Sequence, residues 1–402
     1  MNEQVWEELL IKNDSKIVFL ILDGLGGMAM PGGTKTELET AKTPNLDKYA
    51  KEGICGLLDP IYPGFTPGSG PAHLALFGYE PVEFNIGRGV LSALGVDFEL
   101  TGRDVAARLN FCTIDGKGLV TDRRAGRIST DKNRELCGKI RQNMKMPPEV
   151  ECFIETESEH RAVLILRGDG LSGEINDTDP QEIGKAPFEP KGENKASQKT
   201  ANYVAEFLKQ VKEILKNDQP ANYILARGFA KHEDFPTMEQ RYGLRSVAIA
   251  QYPMYRGLAR LVGMTVLPVP ESAEEMYSQL EKNFDKYDFF FIHFKKTDSY
   301  GEDGNFDAKV KVIETVDQWS AKLRELNPDV LVVTGDHSTP ALLKSHSWHP
   351  VPALLWSKYA RADQVHEFGE STCAKGYLGR MPMKNIILIA LANALRLKKF
   401  GA

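Results

Sequence analysis

The sequence predicts an α/β protein, a mostly parallel sheet with helices on both faces, carrying an inserted α+β domain. Three observations predict it. Short, continuous apolar runs end in polar loops, as strands buried on both faces do. A segment of helical spacing lies between two of these runs, giving the βαβ alternation of a parallel sheet. The middle of the chain changes character, and 402 residues are too many for one ordinary core.

The first strand is Lys16–Leu22 (KIVFLIL), ending at Asp23-Gly24. Pro44–Glu52 reads as a short helix capped by Thr43, with proline in its first turn. Tyr287–Phe294 (YDFFFIHF) and Asp329–Val333 (DVLVV) are two more buried strands. Between them, Ala308–Leu326 places Val310, Ile313, Val316, Trp319 and Leu323 on one helical face. In the middle, Asp104–Ile114 and Phe153–Leu166 are β-rich and Ala201–Leu215 is an amphipathic helix. Gly168–Pro190 is polar turn chemistry, and Pro187–Lys199 is at most a short linker. The expected division is residues 1–97 with 241–402 for the sheet domain, and 98–240 for the insertion.

Composition bounds the function. A net charge of −5 gives no basic footprint for nucleic acid, whereas a local arginine cluster still suits a small anion. The five cysteines form no C-x-x-C pair, so free thiols in a reducing cytoplasm are expected. Residues 1–15 lack a signal-like apolar run, and Ile386–Leu395 is too short to span a bilayer. A soluble cytoplasmic protein without membrane contact follows as the expectation.

Three carboxylates follow three predicted strands: Asp23 after KIVFLIL, Asp298 after FFFIHFKKT and Asp336 after VLVVTG. In a parallel sheet the strand C-termini share one edge, so side chains far apart in sequence converge there. His337 follows Asp336 at once, and His346 lies in a polar loop with Ser345, Ser347 and His349. Each residue alone has an ordinary explanation, since Asp-Gly is a common turn. Three aspartates at equivalent strand ends plus two histidines are enough to hold two divalent ions.

Phe65–His73 (FTPGSGPAH) sets Ser69 between glycines and prolines, a backbone able to turn sharply and expose the hydroxyl. A bare serine is a poor nucleophile and needs a base or a metal. There is no G-x-S-x-G motif, so metal activation is the mechanism this sequence favours. His73, leading into an apolar helix, reads more readily as a structural histidine, and His349 is equally ambiguous.

The segments LDGLGG, TPGSGPAHLALFGYEP, GRGVLSALG, NFCTIDGKGLVTDRRAGRI, TDSYGEDGN, VVTGDHSTP and SHSWHPVPALL, in this order, resemble the archaeal-type cofactor-independent phosphoglycerate mutases of the alkaline phosphatase superfamily. The resemblance runs from about Lys16 to the last helix. It implies an alkaline-phosphatase-like fold and two divalent ions, manganese first, with zinc, cobalt or magnesium as alternatives, and no 2,3-bisphosphoglycerate. One ion would take Asp23, Ser69, Asp336 and His337; the other would take Asp298, His346 and the residue four after Asp298. The familiar pattern D-x-x-G-H has histidine there, but here it is Glu302, an oxygen donor that favours harder cations.

The resemblance also implies transfer of a phosphoryl group between the 2- and 3-hydroxyls of glycerate through phosphoserine at Ser69, with the inserted domain closing over the site. Asp122-Arg123-Arg124-Ala-Gly-Arg127 would cradle the phosphoglycerate, Asp122 as acid/base and Arg123 on the carboxylate, because arginine forks match oxyanions. Arg161 and Arg256 are further candidates. A small-alcohol phosphotransferase, such as a mutase-like homoserine kinase, and a metal-dependent phosphatase remain alternatives, as does a metal-binding scaffold without chemistry.

Overall fold

The computed structural model describes residues 8–84, 86–232 and 235–401. The chain forms two compact units, residues 1–85 with 236–402, and residues 86–235. The smaller unit begins ahead of the expected residue 98 because the helix Arg88–Gly95 packs on strands of that unit.

Among the described residues, the larger unit is built on an eight-stranded sheet. In spatial order its strands are Gly379–Pro382, Ile54–Asp59, Val351–Ser357, Val330–Thr334, Ile17–Leu22, Phe289–Phe294, Ser246–Ala250 and Thr265–Val266. Val351–Ser357 runs antiparallel to both neighbours, and every other pairing is parallel. Ile17–Leu22 lies at the centre with all six side chains buried, which is why it reads as an unbroken apolar run. Each such aliphatic or aromatic side chain contributes about 1.5–3 kcal/mol by leaving water.

The helix Pro44–Glu52 has the expected bounds, with proline in its first turn. Thr43 occupies the cap position but makes no capping bond; its hydroxyl turns to Asp47 instead. The helical run after residue 306 divides into Phe306–Ser320 and Leu323–Leu326, the second closed by left-handed Asn327.

The smaller unit is an antiparallel sheet. Asp104–Ile114 pairs with Val120–Asp122, Arg161–Arg167 and Tyr223–Lys231, and Glu151–Ser158 pairs with Arg161–Arg167. The helix Lys195–Leu215 buries Val204, Phe207, Leu208, Val211 and Leu215 in its core. It starts inside the segment expected as linker, because Asn194 and Ser197 form a reciprocal capping box. The five cysteines are free. Among the described residues no helix is long and apolar enough to cross a membrane.

Candidate active site

Parallel pairing places Leu22 beside Phe294 and Ile21 beside Thr334, so the residues following all three strands leave the sheet at one edge. Asp23 leaves the first strand directly. Asp298 sits in the first turn of the helix Lys296–Glu302, and Gly335-Asp336-His337 follow the third strand. His346 arrives from the loop beyond.

Their ligand atoms form two groups, Asp23 with Asp336 and His337, and Asp298 with His337 and His346, each gathered within 4.8 Å. His337 Nε2 is 3.4 Å from Asp23 and 3.1 Å from Asp336. His346 donates Nδ1–H to the Pro67 carbonyl at 2.9 Å, since a carbonyl only accepts. Its Nε2 is thereby left bare, 3.6 Å from Asp298 and 3.9 Å from Glu302. Glu302 stands at the rim with 55% of its side chain exposed, outside both tight groups. His349 turns to the Ser347 hydroxyl and also lies outside them.

Ser69 opens the helix Ser69–Leu76, and its Oγ lies 3.4 Å from His337 Nε2. Gly68 before it is extended, so the chain enters the helix with the serine at its amino end, where partial positive charge accumulates. His73, one turn on, is fully buried and does more than fill the core. Its Nδ1 meets the Ser69 carbonyl at 2.9 Å and the Asp336 carboxylate at 3.2 Å.

Both oxygens of Asp23 and one of Asp336 are buried without a well-aligned hydrogen bond, approached only by the ion-pairing nitrogens of Lys295, His337 and His73. Burial and the neighbouring Asp336 push Asp23 well above the usual carboxylate range. Against its own burial, Asp336 is held well below that range by His337 and His73. Asp298 is likewise held low, against burial, by Lys295 and His337. Carboxylates placed dry and together require cations, and this oxygen and imidazole set fits divalent metal ions.

One cation is supplied by the chain itself. Lys295 Nζ stands 3.0 Å from Asp23 and 2.5 Å from Asp298, a residue the sequence reading passed over. Its signal was a lysine at a strand end, three residues before a candidate ligand.

The smaller unit holds a cavity of about 330 Å³ lined by Arg88, Arg108, Arg123, Arg124, Arg161 and Arg227 with Asn110, His160 and Gln181. Arg123 is gripped by Asp179 through bonds of 3.0 and 2.7 Å, and Arg227 approaches the same carboxylate at 3.4 Å. Burial, then Arg161 and its neighbouring arginines, pushes His160 down to about 4. Arg88, Arg108 and Arg227 escaped the sequence reading because they come from three separate elements and belong to no shared motif.

Two of the expected site residues make hydrogen bonds to the backbone. The Asp122 carboxylate accepts the backbone N–H of Arg124 at 2.8 Å and of Gly126 at 2.6 Å. It thereby holds a loop in which Ala125, Gly126 and Arg127 all have positive φ. Arg127 is exposed at the end of that loop. Arg256 belongs to the larger unit, and its Nη1 donates to the Ala250 and Leu267 carbonyls, at 3.3 and 2.7 Å.

The sheet and the carboxylate–histidine cluster on its edge define an enzyme of alkaline-phosphatase-like fold. A family model described as 2,3-bisphosphoglycerate-independent phosphoglycerate mutase matches residues 50–222. A probable enzyme of that name from Aquifex aeolicus is 50% identical over 99% of this chain and 100% of its own. One from Thermus thermophilus is 48% identical over 99% of each chain. Among solved structures, a protein of Pyrococcus horikoshii superposes with a TM-score of 0.83 at 30% identity, over 97% of this chain and 100% of that one. The cofactor-independent phosphoglycerate mutase of Thermoplasma acidophilum gives 0.71 at 28% identity, over 94% and 100%. The chain belongs to the 2,3-bisphosphoglycerate-independent phosphoglycerate mutase family.

Proposed function

We propose that this enzyme interconverts 3-phosphoglycerate and 2-phosphoglycerate through a phosphoserine at Ser69, with two divalent ions and no added bisphosphoglycerate. The observation that carries the reading is the 3.4 Å approach of Ser69 Oγ to Nε2 of His337, a residue common to both ligand groups. Asp23, Asp336 and His337 would hold one ion with Ser69 at its side; Asp298 and His346, with Glu302 at the rim, would hold the other. Bound there, such ions lower the pKa of a hydroxyl and offset charge on phosphoryl oxygens.

Ser69 Oγ gives up its proton and forms a bond to phosphorus while the bond from phosphorus to the glycerate oxygen breaks. The departing oxygen takes a proton, restoring the glycerate hydroxyl. The other glycerate hydroxyl then loses its proton and attacks the same phosphorus, returning the serine to its starting state. The helix amino end at Ser69 and the Lys295 ammonium favour the negative charge that gathers on the phosphoryl group. The arginine cavity suits an anion with two charged ends, and this favours a phosphoglycerate over a phosphorylated neutral alcohol.

The test is conversion of 3-phosphoglycerate to 2-phosphoglycerate by the metal-supplemented enzyme without 2,3-bisphosphoglycerate, with trapping of phosphoserine by mass spectrometry. Release of inorganic phosphate at a rate exceeding isomer formation would assign a phosphatase instead.

A further inference from the structure

Thr339 is fully buried three residues after Asp336. Its hydroxyl oxygen lies 2.6 Å from Asp298 Oδ1 and 2.9 Å from His337 Nδ1. A carboxylate only accepts, so the single hydroxyl proton points at Asp298. The same oxygen must then accept from the imidazole, which fixes the proton of His337 on Nδ1. In the neutral imidazole that a metal ion would bind, this leaves Nε2 bare and facing Asp23, Asp336 and Ser69. One hydroxyl thus touches a member of each ligand group.

The hydroxyl is itself held in place. The Thr339 N–H donates to the Gly26 carbonyl at 3.0 Å, and its own carbonyl accepts from Lys309 Nζ at 2.9 Å. Lys309, fully buried, also donates to the Gly24 and Gly26 carbonyls at 2.9 and 3.1 Å. Gly24 has a φ of +61°, and a Cβ there would lie 2.5 Å from the Thr339 hydroxyl. Only glycine lets the Asp23 loop approach so closely.

We propose that Thr339 Oγ1 is a shared positioning atom: it orients Asp298 in one metal sub-site and sets the tautomer and ring plane of His337 in the other. The two sub-sites are therefore built as one unit, and neither reaches full affinity without the hydroxyl. This rests on the reading of the cluster as a two-metal centre. Partners that orient metal ligands typically carry about 10–100-fold in metal affinity.

The experiment is calorimetric titration of the metal-stripped full-length protein with manganese, for wild type, Thr339→Val and Thr339→Ser. Melting curves in chelator establish that each variant is folded. Wild type binds two ions, Thr339→Val weakens both binding events by about 10–100-fold, and Thr339→Ser keeps both near wild type. Should Thr339→Val fold poorly, Thr339→Ala, which removes the hydroxyl without placing a methyl against Asp298, carries the same expectation. The proposal is overturned if the variant lacking the hydroxyl titrates like wild type, if only one event weakens, or if Thr339→Ser is equally impaired. A wild-type protein that takes up no ion overturns the two-metal reading itself, a distinct result.

Discussion

Ser69 Oγ lies 3.4 Å from His337 Nε2, and the two residues arrive from elements 268 positions apart in sequence. Ser69→Ala removes the nucleophile while leaving Asp23, Asp336 and His337 in place. Mutase and any phosphatase activity should fall together, by more than about a hundredfold, with an unchanged melting temperature in chelator. Kinetic assay of both reactions checks this. Residual mutase activity above about a hundredth of wild type would exclude the covalent route.

Arg161 lines the cavity of the smaller unit from the start of its strand. A charge-assisted bond to a substrate anion is worth about 1.5–3 kcal/mol, so Arg161→Gln should raise KM by about 10–100-fold. The fall in kcat should be smaller. A variant that loses kcat at constant KM would place Arg161 outside substrate binding.

His160 shares that cavity, and burial with its arginine neighbours moves it from 6.5 down to about 4. The folded state keeps it neutral where the unfolded chain would protonate it. Its contribution to stability is therefore complete above pH about 6.5 and is lost as the pH falls towards about 4. At 1.36 kcal/mol per pKa unit the change is of order 3 kcal/mol. Urea unfolding at pH 7.5 and 4.5 should show wild type losing more stability on acidification than His160→Gln. Equal losses would mean that the imidazole takes up its proton without unfolding cost.

Lys309 carries three backbone carbonyls of the loops bearing Asp23 and Asp336, with Glu37 3.8 Å away. Glu37 in turn accepts the N–H of Met28 and of Ala341. Lys309→Met keeps the volume and removes the donors, so it should cost about 3–5 kcal/mol, the usual price of breaking a buried charged pair. Because both residues hold the same loops, adding Glu37→Gln should cost less than its effect alone. Denaturant unfolding of the four proteins checks both the magnitude and the non-additivity.

The buried strands and the convergence of the carboxylates at their ends were legible because a parallel sheet turns sequence pattern directly into position. Asp23, Asp298 and Asp336 needed only the rule that strand C-termini share an edge. Lys295 and Thr339 were not legible, because their significance lies in distances to Asp23, Asp298 and His337 that no local pattern encodes. The backbone bonds of Arg256 were not legible either, since they depend on packing that turns its Nη1 onto the Ala250 and Leu267 carbonyls. The Asp122 loop stands out as a motif, but the two backbone N–H bonds that its carboxylate accepts are not something residue type alone reveals.

Glu302 stands where the related D-x-x-G-H pattern has histidine, and its Oε1 is 3.9 Å from His346 Nε2. A carboxylate there adds one negative charge and a hard oxygen at the rim of the group formed by Asp298, His337 and His346. Oxygen-rich sites suit manganese and magnesium, whereas imidazole suits zinc. Manganese should therefore support more activity than zinc, and Glu302→His should move the preference towards zinc. The rim position sets the size of the effect. Because more than half of the side chain is in solvent, Glu302→Gln should weaken metal binding less than Asp298→Asn, whose carboxylate is buried against Thr339. Metal-activity profiles and binding titrations of these variants separate the two possibilities for the carboxylate. Profiles identical between wild type and Glu302→His would mean that Glu302 only screens the imidazole of His346 from outside the coordination shell.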